Sequence, residues 1–352
     1  MPKSTTHNAS PPRVKLKLNE KPALFASSIS RVEVLDDLAA PSMFAVTIDA
    51  WNTEKGELQW IDDSSITPGS PAQLAFGYDL NLSILLLGEV MGLEPEFTPD
   101  RAPVLTLRGY DLRHRLLRGC KTRSFTETTD GKIAETIAQS AGLSFLDETA
   151  RSHSEAQPYV LQHNQTDFDF LRQRAQRIGC ELVMQGKTLT FRPVPASGNT
   201  STASPLNLDR EADHVTFFPR LSLMDRPTGT EVRGWNPEKK AVLLAKVPAG
   251  SGPPRDSQKA IGVATQVTTD RALLNKNDAD RLAQALYHQQ TSTYITGDGR
   301  CRGNPAIRAG TELNLQGFGQ RFNGPYYVVS ATHIYDRRHG YITEFDVRRQ
   351  TP

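Results

Sequence analysis

Apolar and polar residues alternate at Val14, Leu16 and Leu18 and again at Phe44, Val46 and Ile48, the period-two signature of half-buried strands. Further strand-like runs fall at Leu85–Leu93, Val104–Tyr110, Val215–Phe218, Glu231–Trp235, Val242–Val247, Tyr326–Ile334 and Tyr341–Val347. Three stretches change period. Ile133, Ile137 and Ala141 stand at i, i+4 and i+8 with Gly142 placed as a left-handed C-terminal cap, which predicts a short amphipathic helix. In TDFDFLRQRAQRIG, Thr166 is expected to cap a helix with Asp169 at its third position, while Phe168, Leu171, Ala175 and Ile178 form one apolar stripe and Gly179 ends it. ELVM and TLTF then flank Gln185-Gly186-Lys187, a hairpin signal. A third helix is expected from Asp278 to Gln289, with Asn277 as N-cap, Asp280 at the third position, and Leu282 and Leu286 on one face.

One pattern returns. ITPGSPAQLAFGY (Ile66–Tyr78) and IRAGTELNLQGFG (Ile307–Gly319) both read as an apolar residue, two spacers, a glycine and a short alternating strand. Two strand-like runs follow each. Gly69 and Gly310 are therefore expected in the turns that feed these strands, and Gly77, Gly319 and Gly324 are further turn candidates. Two similar β units in one chain would give a trimer six similar surfaces. Any two antiparallel meanders share glycine turns and alternation, so an accidental likeness fits the pattern as well.

The organisation expected is a disordered Ser/Thr/Pro-rich tail at residues 1–12, a first β unit at 13–115, an α/β insert with its linker at 116–205, and a second β unit with one helix at 206–352. The linker would be the Ser/Thr/Gly/Pro tract 195–205, and PAGSGPP at 248–254 reads as a surface loop. The fold class is thus mainly β with an α+β insert. Short antiparallel strands have edges that closure or oligomerisation must cover.

Composition adds constraints more than chemistry. With 38% hydrophobic and 23% charged residues over 352 positions and a formal net charge of +2, the chain reads as an ordinary folded protein without a general pull toward nucleic acid. The longest aliphatic cluster, Ile84 to Leu87, falls far short of the roughly 20 residues a spanning helix needs, and Met1–Pro12 lacks an apolar signal core. A product made in the cytoplasm, with no export signal and no membrane insertion, is expected. Cys120, Cys180 and Cys301 form no CxxC pair, which argues against a disulfide framework or a zinc site. There is no Walker loop, GxSxG or HExxH, and GDGRCRG (297–303), lacking the Lys-Ser/Thr of a phosphate cradle, reads as a turn loop. His333 and His339 are expected to be exposed across a hairpin turn. Asp36-Asp37 and Asp62-Asp63 would point to opposite faces of a strand, not to one cleft. No catalytic, cofactor or metal residue is assigned. The cluster RHRLLRGCKTR carries Arg113, Arg115, Arg118, Lys121 and Arg123 without interleaved aromatics, so a solvated or inter-subunit basic strip is expected in preference to a nucleic-acid site.

LRGYDLRHRLLRGCKTRSF followed by TTDGKIAETIAQSAGL, then YVLQHNQTDFDFLRQRAQRIGCELVMQGKTLTF with its Q-x-x-x-T/S-D-x-x-F-L signature, and finally VRGWNPEKKAV and the run from AGTELNLQ to TEFDVRR resemble, in that order, the phage late control D and VgrG-type hub proteins of contractile tails and injection systems. The resemblance covers roughly residues 30–350. It implies a homotrimer whose two tube-like β-barrels per subunit form a quasi-six-fold ring in the baseplate, between a hexameric inner tube protein and a trimeric spike, with baseplate wedge proteins as further partners. By resemblance the barrels are Ile66–Tyr110 and Ile307–Arg348, and 121–193 lies on the periphery. VgrG proteins continue into a spike, whereas this chain stops at Pro352, which leads to the expectation of a separate spike polypeptide. A carbohydrate-binding module would show clustered aromatics, but Trp51, Trp60 and Trp235 are far apart in sequence; a cell-wall glycan hydrolase would need two convergent carboxylates.

Overall fold

Strand Met43–Asp49 shows how the alternation is used: Phe44, Val46 and Ile48 are fully buried while Ala45 and Thr47 stay partly exposed. It pairs antiparallel with Ile29–Asp37 on one side and Arg101–Asp111 on the other, so the buried faces of successive strands join Leu105, Leu107, Val32 and Val34 in one core. The structure is a computed structural model that describes residues 10–149, 155–194, 205–222, 229–236, 239–248, 262, 265–269 and 273–349. The expected tail up to residue 9, the linker from 195 to 204 and most of the loop at 248–254 lie outside the described residues. Residues 10–12 do not behave as a tail, because Pro12 already opens strand Pro12–Leu18, paired with Tyr78. The protein is mostly β, as expected, with antiparallel pairing dominant.

The repeat is deeper than its sequence trace. Taken in chain order, Pro12–Leu18, Ile29–Asp37, Met43–Asp49, Pro71–Tyr78, Asn81–Thr98 and Arg101–Asp111 lie side by side in the order first, fourth, fifth, sixth, third, second. Leu206–Asp209, Thr216–Leu221, Ile295–Arg302, Glu312–Gln316, Gly324–Asp336 and Gly340–Arg349 lie in the same order. One difference is the outermost pair, antiparallel in the first copy and parallel in the second. The copies join where Ser330–Asp336, from the fifth strand of the second, pairs antiparallel with Arg31–Asp37 from the second strand of the first.

The chain divides into two compact units, Met1–Asp111 with Arg300–Ala309 and Ser330–Phe345, and Leu112–Gly299 with Gly310–Val329 and Asp346–Pro352. This division differs from expected boundaries at 115 and 205, because the pairing of Ser330–Asp336 draws the end of the chain to its beginning. The second unit holds helices Asp130–Ser140 and Asp167–Arg177 over the sheet Ser144–Asp147, Thr188–Pro193 and Cys180–Gln185. It also holds a three-stranded sheet, Ala241–Val247, Gly229–Asn236 and Thr265–Thr268, packed on helix Lys276–Thr291. That helix starts earlier than expected. Asn275, not Asn277, is the N-cap, and its side chain accepts from the Asp278 amide at 3.0 Å.

GDGRCRG is not a turn loop either. Its residues run through strand Ile295–Arg302, with Ile295, Gly297, Gly299 and Cys301 on the buried face. A Cβ at Gly297 would stand 2.6 Å from the Phe217 ring, and one at Gly303 2.1 Å from that of Tyr341. The glycines are there to admit rings.

Candidate functional site

The residues that build the repeat take the same geometry twice. Gly69 (φ +90°) donates its N–H to the Val90 carbonyl at 2.7 Å, and Val90 returns one to Ser70 at 2.9 Å; Gly310 (φ +81°) donates to Val328 at 2.8 Å, and Val328 returns one to Thr311 at 2.9 Å. Two residues before each glycine's spacer pair ends, the chain is anchored alike: the N–H of buried Ile66 donates to Asp63, and that of buried Ile307 donates to Asn304. Positive φ at both positions favours glycine. The other turn candidates differ. Gly319 (φ +80°) lies in a loop and Gly324 (φ +128°) opens a strand. Gly77 is no turn residue; it sits within strand Pro71–Tyr78, where a Cβ would come 1.9 Å from the Asn81 carbonyl oxygen.

Equating Val90 with Val328 aligns Gly92–Thr98 with Ser330–Asp336. The second segment is paired by Arg31–Asp37. The first, among the described residues, pairs only with Arg101–Arg108 of its own hairpin. Likewise Thr216–Leu221, the counterpart of Ile29–Asp37, ends the strand order among the described residues. Both open edges carry exposed apolar side chains, Phe97 on one, Phe218 and Leu221 on the other. Each also holds one proline, Pro95 and Pro219, whose missing N–H limits indiscriminate pairing.

The expected basic strip is divided: Arg118 and Lys121 are exposed, while Arg115 and Arg123 are half-buried. Arg113 is buried, so it cannot belong to a surface strip. Arg115 donates to the Ala141 carbonyl at 3.0 Å. Lys121 and Arg123 both donate to the Asp167 carboxylate at 2.6 Å; Arg118 is exposed. The physical reason is that strand Lys121–Thr128 sends Lys121 and Arg123 to one face, toward the first residue of helix Asp167–Arg177. Gln162, fully buried, completes the clamp: its amide donates to Asp167 at 2.9 Å and its carbonyl accepts from Arg123 at 2.8 Å. The Q-x-x-x-T-D-x-x-F-L signature is thereby explained by residue. Thr166 caps the helix, accepting from the Asp169 amide at 3.0 Å and donating to its carboxylate at 2.7 Å. Phe170 and Leu171 enter the core, and Gly179 (φ +70°) follows the last turn. Asp167 and Gln162 form a polar centre that apolar periodicity does not signal, although the signature contains both.

Two further polar groups, one buried and one half-buried, were also unforeseen. His333 is fully buried, contrary to the expected exposure; its Nε2 lies 3.0 Å from the Ile307 carbonyl and its Nδ1 2.7 Å from the Tyr341 hydroxyl. His339 is exposed beside Asp336. Glu181 gathers Arg192 (3.3 Å), Arg348 (3.2 Å) and the Tyr327 hydroxyl. Burial is the main cause that drives the Tyr327 phenol well above its ordinary range. Cys180 is buried, its thiol pushed up to about 12 by desolvation, and is thus a packing residue. Among the described residues no cluster of His, Cys, Asp and Glu is arranged to hold a metal, and no helix is long and apolar enough to cross a membrane.

The model of the Alg8 N-terminal domain family matches residues 12–336. No curated protein matches the sequence. Among solved structures, the 43 kDa tail protein of prophage MuSo2 from Shewanella oneidensis superposes with a TM-score of 0.72 at 14% identity, over 96% of this chain and 98% of that one. The tail protein from Neisseria meningitidis MC58 gives 0.69 at 12% identity, over 97% and 100%. The E. coli c3393 protein, a type VI secretion component with structural similarity to T4 bacteriophage tail proteins gp27 and gp5, gives 0.62 at 13% identity, over 95% and 76%. At these identities what is shared is the fold.

Proposed function

We infer, from a chain that belongs to the Alg8 N-terminal domain family and has the fold of phage tail proteins, that this protein is a structural baseplate hub. It acts as a homotrimer that adapts a hexameric inner tube to a trimeric spike, with wedge proteins around it. The observation that carries this reading is the strand order that occurs twice, joined within the chain by Arg31–Asp37 on Ser330–Asp336 while the counterpart edges, Thr216–Leu221 and Gly92–Thr98, stay open among the described residues. Repeating the internal junction between chains pairs Thr216–Leu221 of one subunit with Gly92–Thr98 of the next. Each chain then has one open edge of each kind, so the contact is head-to-tail and can close a ring. Three chains give six copies of the sheet, the number a six-fold tube requires.

The strand faces turned from the core support a polar lumen. They carry ion pairs between Arg108 and Glu94 (2.9 Å), Arg220 and Asp298 (3.0 Å), and Arg300 and Glu344 (4.0 Å). The role in this reading is structural. Size-exclusion chromatography with light scattering tests the assembly: a particle of three chain masses is expected at micromolar concentration. A stable, well-folded monomer overturns the reading, because burial across open strand edges is its source of assembly energy.

A further inference from the structure

We propose that the outer face of the sheet formed by Gly229–Asn236, Ala241–Val247 and Thr265–Thr268 docks a segment of a different protein, one that presents apolar side chains within an acidic surround. The inner face of this sheet is already satisfied: Val232 and Ala245 pack on Ala279, Leu282 and Ala283 of helix Lys276–Thr291. On the outer face, period-two alternation brings out apolar side chains where polar ones would be ordinary. Trp235 is 56% exposed, Val242 65%, Leu244 38% and Val267 46%. Trp235 stands directly opposite Val242, Leu244 is opposite Arg233, and Val267 is opposite Glu231. Trp235, Val242 and Leu244 are therefore neighbours on this face, unlike singly scattered surface residues, while Val267 stands beyond Glu231.

Charge selects the occupant. Glu231 is the buried carboxylate of this face and is held by Arg233 and by Lys246 at 3.1 Å. Lys239 and Lys240 are exposed at the hairpin turn. Across Gly229–Val247 the cations Arg233, Lys239, Lys240 and Lys246 outnumber the carboxylates Glu231 and Glu238. An acidic partner gains orientation and rate from this rim, and the desolvated Trp235–Val242 pair supplies the anchor. The sheet is also outside the repeat. It stands between the second and third strands of the second copy, whereas in the first copy residues 38–42 suffice for that link. Its partner is consequently engaged once per chain, not twice.

The experiment uses the full chain in cells that produce its native assembly, with the photo-cross-linker p-benzoylphenylalanine placed at position 242 and adducts mapped by mass spectrometry. The expected product joins this chain to another polypeptide through a segment with net negative charge and at least one large apolar residue. Lys239→Glu with Lys240→Glu is expected to lower the yield on the order of tenfold while leaving the oligomer unchanged. Adducts confined to this chain or to a second copy of it, no adduct at all, or a yield insensitive to the charge reversal overturn the proposal. The particle fraction is scored separately: absence of this chain from tail-like particles counts against the hub reading on which the site's setting rests, whatever the cross-linker reports.

Discussion

At the scale of single residues, His333 is the group whose environment has the clearest measurable consequence. A carbonyl can only accept, so Nε2 carries the proton it donates to Ile307, and Nδ1 accepts from the Tyr341 hydroxyl. The neutral ring is thus fully satisfied. Burial, followed by the nearby Arg308 guanidinium, lowers its pKa from 6.5 to about 4, with Asp36 acting in the opposite direction. Because the unfolded chain takes up this proton at higher pH than the folded one, stability attributable to His333 is intact above pH 6.5 and is lost as pH falls toward 4, by about 3 kcal/mol in all. Denaturation of the native protein and of His333→Gln across that window checks this. The variant is expected to start less stable and to lose less, and parallel curves would contradict it. Gly69 and Gly310 offer a second contrast. A Cβ at Gly69 meets open space, whereas one at Gly310 falls 1.9 Å from the Arg192 guanidinium, which Glu181 and Tyr327 already hold. Gly69→Ala should cost about 1 kcal/mol from backbone strain alone, and Gly310→Ala should cost visibly more in the same urea titration.

At the scale of elements, the second helix depends on a carboxylate clamp as much as on its apolar stripe. Asp167→Asn leaves Lys121 and Arg123 facing a neutral amide, and as both are partly solvated a loss of about 2 kcal/mol is expected. Thr166→Ala removes one cap, for about 1 kcal/mol. Thermal melts that rank Thr166→Ala as the more damaging would contradict the clamp. The helix itself was legible from Phe168, Leu171 and Ala175, since periodicity reports the buried face. The clamp was not, because Lys121 and Arg123 meet Asp167 across more than 40 residues of chain, and a cluster of cations in sequence carries no sign of which carboxylate will fold onto it. The third helix was misplaced by two residues because Asn275 and Asn277 both offer a cap. Strand Ile295–Arg302 was misread for a different reason: half its buried face is glycine, so its alternation is one of size and not of hydrophobicity.

At the scale of the whole molecule, the repeat showed in the sequence only through its fourth to sixth strands, where the glycine turns recur at matching spacing. The earlier strands were hidden because residues 223–294 separate the second from the third in the second copy, and because Leu206–Asp209 and Pro12–Leu18 differ in direction against their neighbours. Strand order, not residue identity, is what the copies share. The domain boundaries were read from composition, which marks linkers but cannot foresee that residues 330–336 return to pair with 31–37. A structural reconstruction of the assembled ring by electron cryo-microscopy tests the central claim most directly. Three chains and six sheet copies are expected, with Thr216–Leu221 of each subunit hydrogen-bonded to Gly92–Thr98 of its neighbour; another copy number, or these two edges facing solvent in the ring, would overturn the hub reading.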